Sequence, residues 1–347
     1  MSDRTTPVGI LIIGCGAAAR MHSHTLRRVG GVELFYASRD RNRAESYCRR
    51  YGGRGAFGSY DAGLAEGGVD VALIATPTVT HRELALQSLQ AGKHVIVEKP
   101  AFMRASDADA VREASTASGR RVFVAENYVY KPVAEHLRRV IRAGDLGDVR
   151  FVSLNATKRQ RADGWRADPD VSGGGALFEG GIHWISFASN LGLDVEQVQA
   201  YRAGPTAGPD RSTLVVVRYT NGAVGTLAHS WELPAPFGGL RLSKVQGTLG
   251  AVTFESNGLV AVTSGRSRSF TLMALRDPFG YRAMFADFLH ALRTGEAPRF
   301  ALAMAQRDLR LLEQAERCMA AEAAAAGYEI ASGSMMRSTT LPSTTLT

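Results

Sequence analysis

The first residues whose types and spacing suit a chemical task are Gly14-Cys15-Gly16-Ala17-Ala18-Ala19. They follow an apolar run, Val8–Ile13, and open a helical pattern over about 17–29. Gly14 allows a tight strand-to-helix turn, Gly16 lets the backbone come close to a pyrophosphate, and Ala19 keeps the helix near the sheet. The helix start at Ala17 and Ala18 then offers free N–H groups to phosphate oxygens. This pattern predicts a dinucleotide site. The choice of dinucleotide is read after the next apolar run, Val32–Ala37. Where an NAD site usually carries Asp or Glu for the ribose hydroxyls, this chain has Ser38 and Arg39, with Arg43 one turn on. A hydroxyl and guanidinium groups suit a 2′-phosphate that a carboxylate would repel. NADP is therefore the expected cofactor, and Asp40 leaves NAD open if the register differs by two.

A second group of residues suits proton handling. Lys99, in Val97-Glu98-Lys99-Pro100, stands at the end of an expected strand, His94–Val97. Ligands bind outside the carboxyl ends of strands in open α/β sheets. A partly desolvated lysine there can act as acid or base, and Pro100 fixes the turn that aims it. Farther on, Gly173-Gly174-Gly175 precedes a helical stretch carrying Glu179 and His183, four residues apart and so on one face. Hydride transfer at a carbinol carbon needs such groups: the cofactor carries the hydride and the protein moves the hydroxyl proton. Each also has an ordinary reading, as a solvated strand-end charge, a helix-surface pair or a packed core histidine. Asn127, Tyr128 and Lys131 follow the last strand of this half and fall near the same cleft. His22 and His24 read as ordinary helix residues.

Four segments in order then carry a resemblance. They are Ala75-Thr76-Pro77-Thr78-Val79-Thr80-His81, Val97-Glu98-Lys99-Pro100, Trp165-Arg166, and Gly173-Gly174-Gly175-Ala176-Leu177-Phe178-Glu179-Gly180-Gly181-Ile182-His183. Together they resemble the glucose–fructose oxidoreductase/inositol dehydrogenase (Gfo/Idh/MocA) family over about residues 8–325. The resemblance implies a Rossmann domain, a second domain on a large open sheet, and homo-oligomers, dimers or tetramers, assembled through that sheet. It implies catalytic roles for Lys99, His183 and Glu179. Thr76, Pro77, His81, Glu98, Lys99 and Asn127 would border the cofactor. Tyr128, Trp165, Arg166, Lys99, Glu179 and His183 would face the substrate. The family usually has Asp where this chain has Glu179; the extra methylene moves the carboxylate by about one carbon–carbon bond, enough to alter a catalytic contact. The implied activity is NAD(P)-dependent oxidation or reduction of a sugar, cyclitol or keto-sugar. The alternatives are an NAD-using glycosidase of the same superfamily and a non-catalytic dinucleotide-binding regulator.

The elements that must position these residues are legible from periodicity. Strands are expected at Val8–Ile13, Val32–Ala37, Val71–Ala75, His94–Val97 and Arg121–Ala125, with helices at about 17–29, 41–51, 81–91 and 106–118. Such alternation predicts a parallel sheet with right-handed crossovers. Val133, Leu137, Val140 and Ile141 share one helical face. Period-two alternation then dominates residues 149–157 and 213–273, and Asn221-Gly222 marks a hairpin. Helices return at about 281–293 and 301–321. The expected fold is α/β: a doubly wound Rossmann sheet in residues 1–127, then an α+β domain with a large open, mostly antiparallel sheet in 128–330. Residues 331–347, rich in Ser and Thr, read as a disordered tail.

Composition agrees with a two-domain globular enzyme. The chain has 347 residues, 45% hydrophobic and 21% charged. The net charge of +8 comes from scattered arginines, so solvated helix faces are expected rather than a nucleic-acid site, with part of the excess serving an anionic cofactor or substrate. Cys15, Cys48 and Cys318 have no Cys-x-x-Cys spacing, so neither a disulfide framework nor a metal site is expected. No apolar run approaches the roughly 20 residues of a membrane span, and Met1–Pro7 lacks an apolar leader core. The expectation is a cytoplasmic protein with a small sugar-like substrate and no membrane or nucleic-acid partner.

Overall fold

The computed structural model describes residues 6–325 except 162–163, 165–167, 206–207, 236–238, 267 and 274–275. Trp165, Arg166 and the expected tail at 331–347 lie outside the described residues.

The first half runs β1 (Val8–Ile13), α1 (Ala17–Val29), β2 (Val32–Ala37), α2 (Arg41–Tyr51), β3 (Gly55–Phe57), α3 (Tyr60–Leu64), β4 (Val71–Ile74), α4 (His81–Gln90), β5 (His94–Glu98), α5 (Asp107–Ser118) and β6 (Val122–Ala125). The strands form a six-stranded parallel sheet in the order β3-β2-β1-β4-β5-β6. Ile10–Ile13 and Val71–Ile74 are fully buried, because helices cover both faces and every side chain of a central parallel strand must be apolar. The order reverses between β1 and β4, which opens a crevice at their carboxyl ends. The expected elements of this half appear within one residue of their predicted ends. β3 and α3 were not expected. Gly55-Ala56-Phe57 is too short to show a period, and it becomes a strand by pairing with Phe35–Ala37.

The second half runs α6 (Pro132–Arg142), β7 (Val149–Thr157), α7 (Pro169–Ser172), α8 (Ile182–Ser189), β8 (Val195–Arg202), β9 (Ser212–Tyr219), β10 (Val224–Ser230), β11 (Leu242–Gly247), β12 (Ala251–Glu255), β13 (Val260–Ser264), β14 (Ser269–Leu272), α9 (Tyr281–Thr294) and α10 (Leu302–Ala325). Its strands form an eight-stranded sheet, β14-β13-β12-β11-β7-β10-β9-β8, in which β7 and β10 run parallel and all other neighbours antiparallel. Asn221-Gly222 makes the expected turn between β9 and β10, with Gly222 at φ 83° and Tyr219 N–H donating to Ala223 O at 3.0 Å.

The two faces of this sheet differ. Val152, Leu154, Val198, Val215, Val217 and Val245 point inward and are buried, with α10 lying across β8 and against α8. Phe151, Leu214, Leu242, Val262 and Phe270 occupy the other face and are exposed. The chain then returns to the first sheet. α9 packs on α1, and Phe288 stacks on Phe123 with ring centroids 5.0 Å apart. Arg121 holds the end of α9 by donating to Ala291 O and Glu296 O, both at 2.6 Å. No helix of the described residues is long and apolar enough to cross a membrane.

Candidate active site

The crevice at the carboxyl ends of β1, β2, β4 and β5 is a cleft of about 560 Å³. Gly14, Gly16, Ala17, Ala18, Ser38, Arg39, Arg43, Thr76, Pro77, His81, Glu98 and Lys99 all line it. These are the residues expected against a dinucleotide, with one exception, Asn127. Gly14 has φ 94°, and a Cβ there would lie 2.8 Å from Ala75 O, so only glycine makes this turn. A Cβ on Gly16 would meet nothing within 4 Å, which leaves open room at the helix start. α1 has no side-chain cap and no acidic residue in its first turn. Its first N–H groups are thus left for a ligand, and the partial positive charge there favours an anion. The cradle fits a dinucleotide pyrophosphate. Asp40 does not line the cleft; its carboxylate caps α2 by accepting Arg43 N–H at 3.3 Å. Arg39 and Arg43 make no ion pair among the described residues.

The loops over the cleft are tied down by buried polar groups. His81 is buried, with Nδ1 3.0 Å from Pro100 O and Nε2 2.9 Å from Thr76 O. Burial holds its pKa below the usual histidine value, so the ring is neutral and its single N–H can donate to only one of these carbonyls. It joins the turn after β4 to the turn after β5. Glu98 is held from two sides: His22 Nε2 donates to Oε1, and Lys99 N–H donates to Oε2 at 2.9 Å. Burial raises the Glu98 pKa, but His22 and Lys99 outweigh it and hold the carboxyl at about 2. The reading of His22 as an ordinary helix residue is corrected here. It is fully buried, edge-on to Phe285 at 5.3 Å, and it anchors the strand end that carries Lys99. The signal was its i, i+4 spacing from Leu26 and the interior-facing Ser23 beside it, which place position 22 on the buried face of α1.

Beyond Lys99 a second cavity of about 520 Å³ opens against the eight-stranded sheet. Lys99, Glu179, His183 and Tyr281 line both cavities. Lys99 Nζ donates to Glu179 O at 2.9 Å. His183 Nδ1 is 2.7 Å from Glu126 Oε1, which also accepts Tyr128 N–H at 3.0 Å. Burial, and then Lys99, keeps the His183 pKa well below the usual value, while burial pushes Glu126 up to about 7. Glu126 engages the Nδ1 side of the ring, and Nε2 makes no hydrogen bond to another described residue. Tyr128 stacks on His183 at 4.4 Å, and the buried Lys131 lies over the Tyr128 ring, Nζ 3.7 Å from its centroid. Burial lowers Lys131 to about 7.

The expected Glu179–His183 helical pair takes a different form. Glu179 lies in a π-helical turn, Leu177–Gly181, ahead of α8, and the carboxylate that bonds His183 is Glu126. The sequence carried a hint, since Glu126 directly follows the last parallel strand. Asn127 is buried with Nδ2 donating to Phe279 O at 2.8 Å, and it lines the second cavity together with Tyr128. The rest of this cavity was not foreseen. β7 and β10 are in register from Phe151↔Val224 to Thr157↔Ser230, and β11 starts antiparallel beside them. That arrangement brings Lys158, Trp231 and Arg241 together at one end of these central strands. Among the described residues no group of three or more His, Cys, Asp or Glu is placed to hold a metal ion.

A parallel sheet with a glycine turn at its switch point, sharing Lys99 and His183 with a second cavity, defines a Rossmann-type oxidoreductase. Residues 8–126 match the oxidoreductase family with an NAD-binding Rossmann fold, and residues 134–253 match the GFO/IDH/MocA C-terminal domain. The chain belongs to the Gfo/Idh/MocA family of NAD(P)-dependent oxidoreductases. It is 30% identical over 278 residues to D-xylose 1-dehydrogenase (NADP(+)) 2 of Haloferax volcanii, covering 76% of this chain and 82% of that one. It is 28% identical over 302 residues to mouse (Mus musculus) trans-1,2-dihydrobenzene-1,2-diol dehydrogenase, covering 82% and 87%. A levoglucosan dehydrogenase solved with NADH shares the fold at TM-score 0.82 and 20% identity, over 91% of this chain and 98% of that one.

The Glu98 anchor has a pH signature. Its folded pKa, about 2, lies below the ordinary value of 4.5, so its contribution to stability is complete above pH 4.5 and is lost as the pH falls toward 2. Glu98→Gln is expected to cost of order 3 kcal/mol near neutral pH, by the size of that shift. The difference from wild type should stay level from neutral pH down to the ordinary carboxylate range and shrink below it. Urea titrations of both proteins across that range check this; a gap that widens in acid would contradict it.

Proposed function

We propose that the protein transfers a hydride between NADP(H) and a hydroxyl-bearing or keto carbon of a sugar, cyclitol or keto-sugar. The observation that carries this reading is the meeting of the two cavities at Lys99, Glu179, His183 and Tyr281. The glycine turn and the start of α1 hold the pyrophosphate, and Ser38, Arg39 and Arg43 receive a 2′-phosphate. The bound nicotinamide supplies or takes up the hydride. Lys99 Nζ, steadied by Glu179 O, gives a proton to the substrate oxygen in reduction and takes it back in oxidation. His183 Nε2 positions the same hydroxyl, with its ring fixed by Glu126 below and Tyr128 alongside. The xylose dehydrogenase relative, named for NADP(+), and the diol dehydrogenase relative support a vicinal hydroxyl substrate. The exposed apolar face of the eight-stranded sheet supports a homo-oligomer formed through Phe151, Leu242, Val262 and Phe270.

Three outcomes are expected. Lys99→Met should lower turnover about 10²-fold or more, while cofactor affinity holds because the glycine turn is untouched. Near-normal turnover in that variant would remove Lys99 from the reaction, and glycoside cleavage without net NADPH change would replace reduction with transient oxidation. Arg39→Ala should weaken NADP by about 1.5–3 kcal/mol and leave NAD almost unchanged in fluorescence titrations. Equal or better NAD binding by the wild-type protein would overturn the cofactor assignment. Placing Glu at both Leu242 and Phe270 should give a folded monomer by sedimentation; an unchanged oligomer would move the interface elsewhere.

A further inference from the structure

Hydride transfer to a neutral polyol does not account for the charge of the second cavity. Lys99, Lys158, Arg161 and Arg241 line it, against the single carboxylate of Glu179 among its described lining. Lys158 and Arg161 have no acidic partner among the described residues. Arg241 is 9% exposed, so it is not an ordinary solvated surface charge. Its bonds go to neutral oxygens, Nη2 to Asn257 Oδ1 at 2.5 Å and Nη1 to Thr157 O at 3.4 Å. Behind that wall, Glu255 accepts Asn257 Nδ2–H at 2.8 Å, which turns the Asn257 oxygen toward Arg241. The Arg241 Nε and Trp231 Nε1 donors have no acceptor among the described residues.

The cations also work against one another. Burial and then Arg241 and Lys99 lower the Lys158 pKa, and burial and then Lys158 push His229 down to about 3. His229 is therefore neutral and adds no positive charge. Gly180 keeps the space beside it open, since a Cβ there would lie 3.0 Å from Trp231 Nε1 and 3.2 Å from His229 Nε2. Arg241 is buried while Lys158 and Arg161 reach solvent, and a cluster of cations with unused donors at a cavity wall is stabilised by an anion that meets them directly.

We propose that the substrate is an anionic polyol, whose carboxylate or phosphate is taken by Lys158, Arg161 and Arg241 while Lys99 and His183 address the reacting carbon. This rests on the hydride-transfer reading of the same cavity. It excludes amino sugars, whose ammonium groups the lining repels. The test is calorimetric titration of the cofactor-loaded protein with D-glucose, D-glucuronate and D-glucose 6-phosphate. At least one charged probe is expected to bind about tenfold or more tightly than glucose, with the advantage shrinking as salt is added. Which of the two wins separates carboxylate from phosphate. In Lys158→Gln, an accessible position, and in Arg241→Gln the ratio of charged to neutral affinity should fall toward one, while cofactor affinity stays as in the wild type. Charged probes that bind no better than glucose, or an advantage that survives in Lys158→Gln and a folded Arg241→Gln, would overturn the proposal. Turnover of a neutral sugar without charge preference would leave hydride transfer standing; failure to bind either dinucleotide would strike at that earlier reading instead.

Discussion

Parallel pairing of β1 with both β2 and β4 is the constraint from which the rest follows. Each parallel partner requires a crossover, and right-handed crossovers leaving a strand in opposite directions carry their helices to opposite faces of the sheet. The loops after β1 and β4 must then diverge, and the crevice between them cannot be filled by the local chain. Gly14 and Gly16 stand in that gap, and Glu98 and Lys99 stand at the end of the adjacent strand. The cleft is therefore a product of topology, and the side chains around it decide only what it holds.

Those side chains are fixed by buried polar bonds rather than by apolar packing alone. His22 with Glu98, His81 beside the Pro100 carbonyl, and Glu126 with His183 each bring together segments apart in sequence. Removing one partner of such a pair is costly, because it leaves the other buried and uncompensated, whereas an apolar replacement of the whole pair can be nearly neutral. Such pairs define position. Glu98 sets where the Lys99 backbone lies, and Glu126 sets which imidazole nitrogen faces the cavities. Burial pushes Glu126 above the ordinary carboxyl range, while at Glu98 the same burial is outweighed by His22 and Lys99, so two neighbouring buried carboxylates are held in opposite directions.

The dinucleotide cleft was legible because its parts are contiguous: a strand, a glycine turn, a helix start, then Ser38 and Arg39 directly after the next strand. Lys99 was legible for the same reason. The partner of His183 was not, since Glu126 lies 57 residues away and spacing along one helix pointed to Glu179. The basic wall was hidden more deeply. Lys158, Trp231 and Arg241 come together only through the β11-β7-β10 neighbourhood, and strand order in an antiparallel sheet leaves no periodic trace. The three-residue β3 owes its existence to pairing with β2, which a window along the sequence does not contain.

The alternation in β7 from Phe151 onward has an evolutionary consequence. Val152 and Leu154 serve the core, while Phe151, directly before them, serves the outer face, and the same strand ends at Thr157 beside Lys158. Substitutions at one of these positions leave the others alone. A one-residue deletion inside β7 would instead turn every residue on one side of the deletion to the opposite face, so that core positions move together with either Phe151 or the Lys158 end. Descendants of this protein can vary the outer face and the basic wall independently by point mutation, but the length of this strand is inherited as a unit.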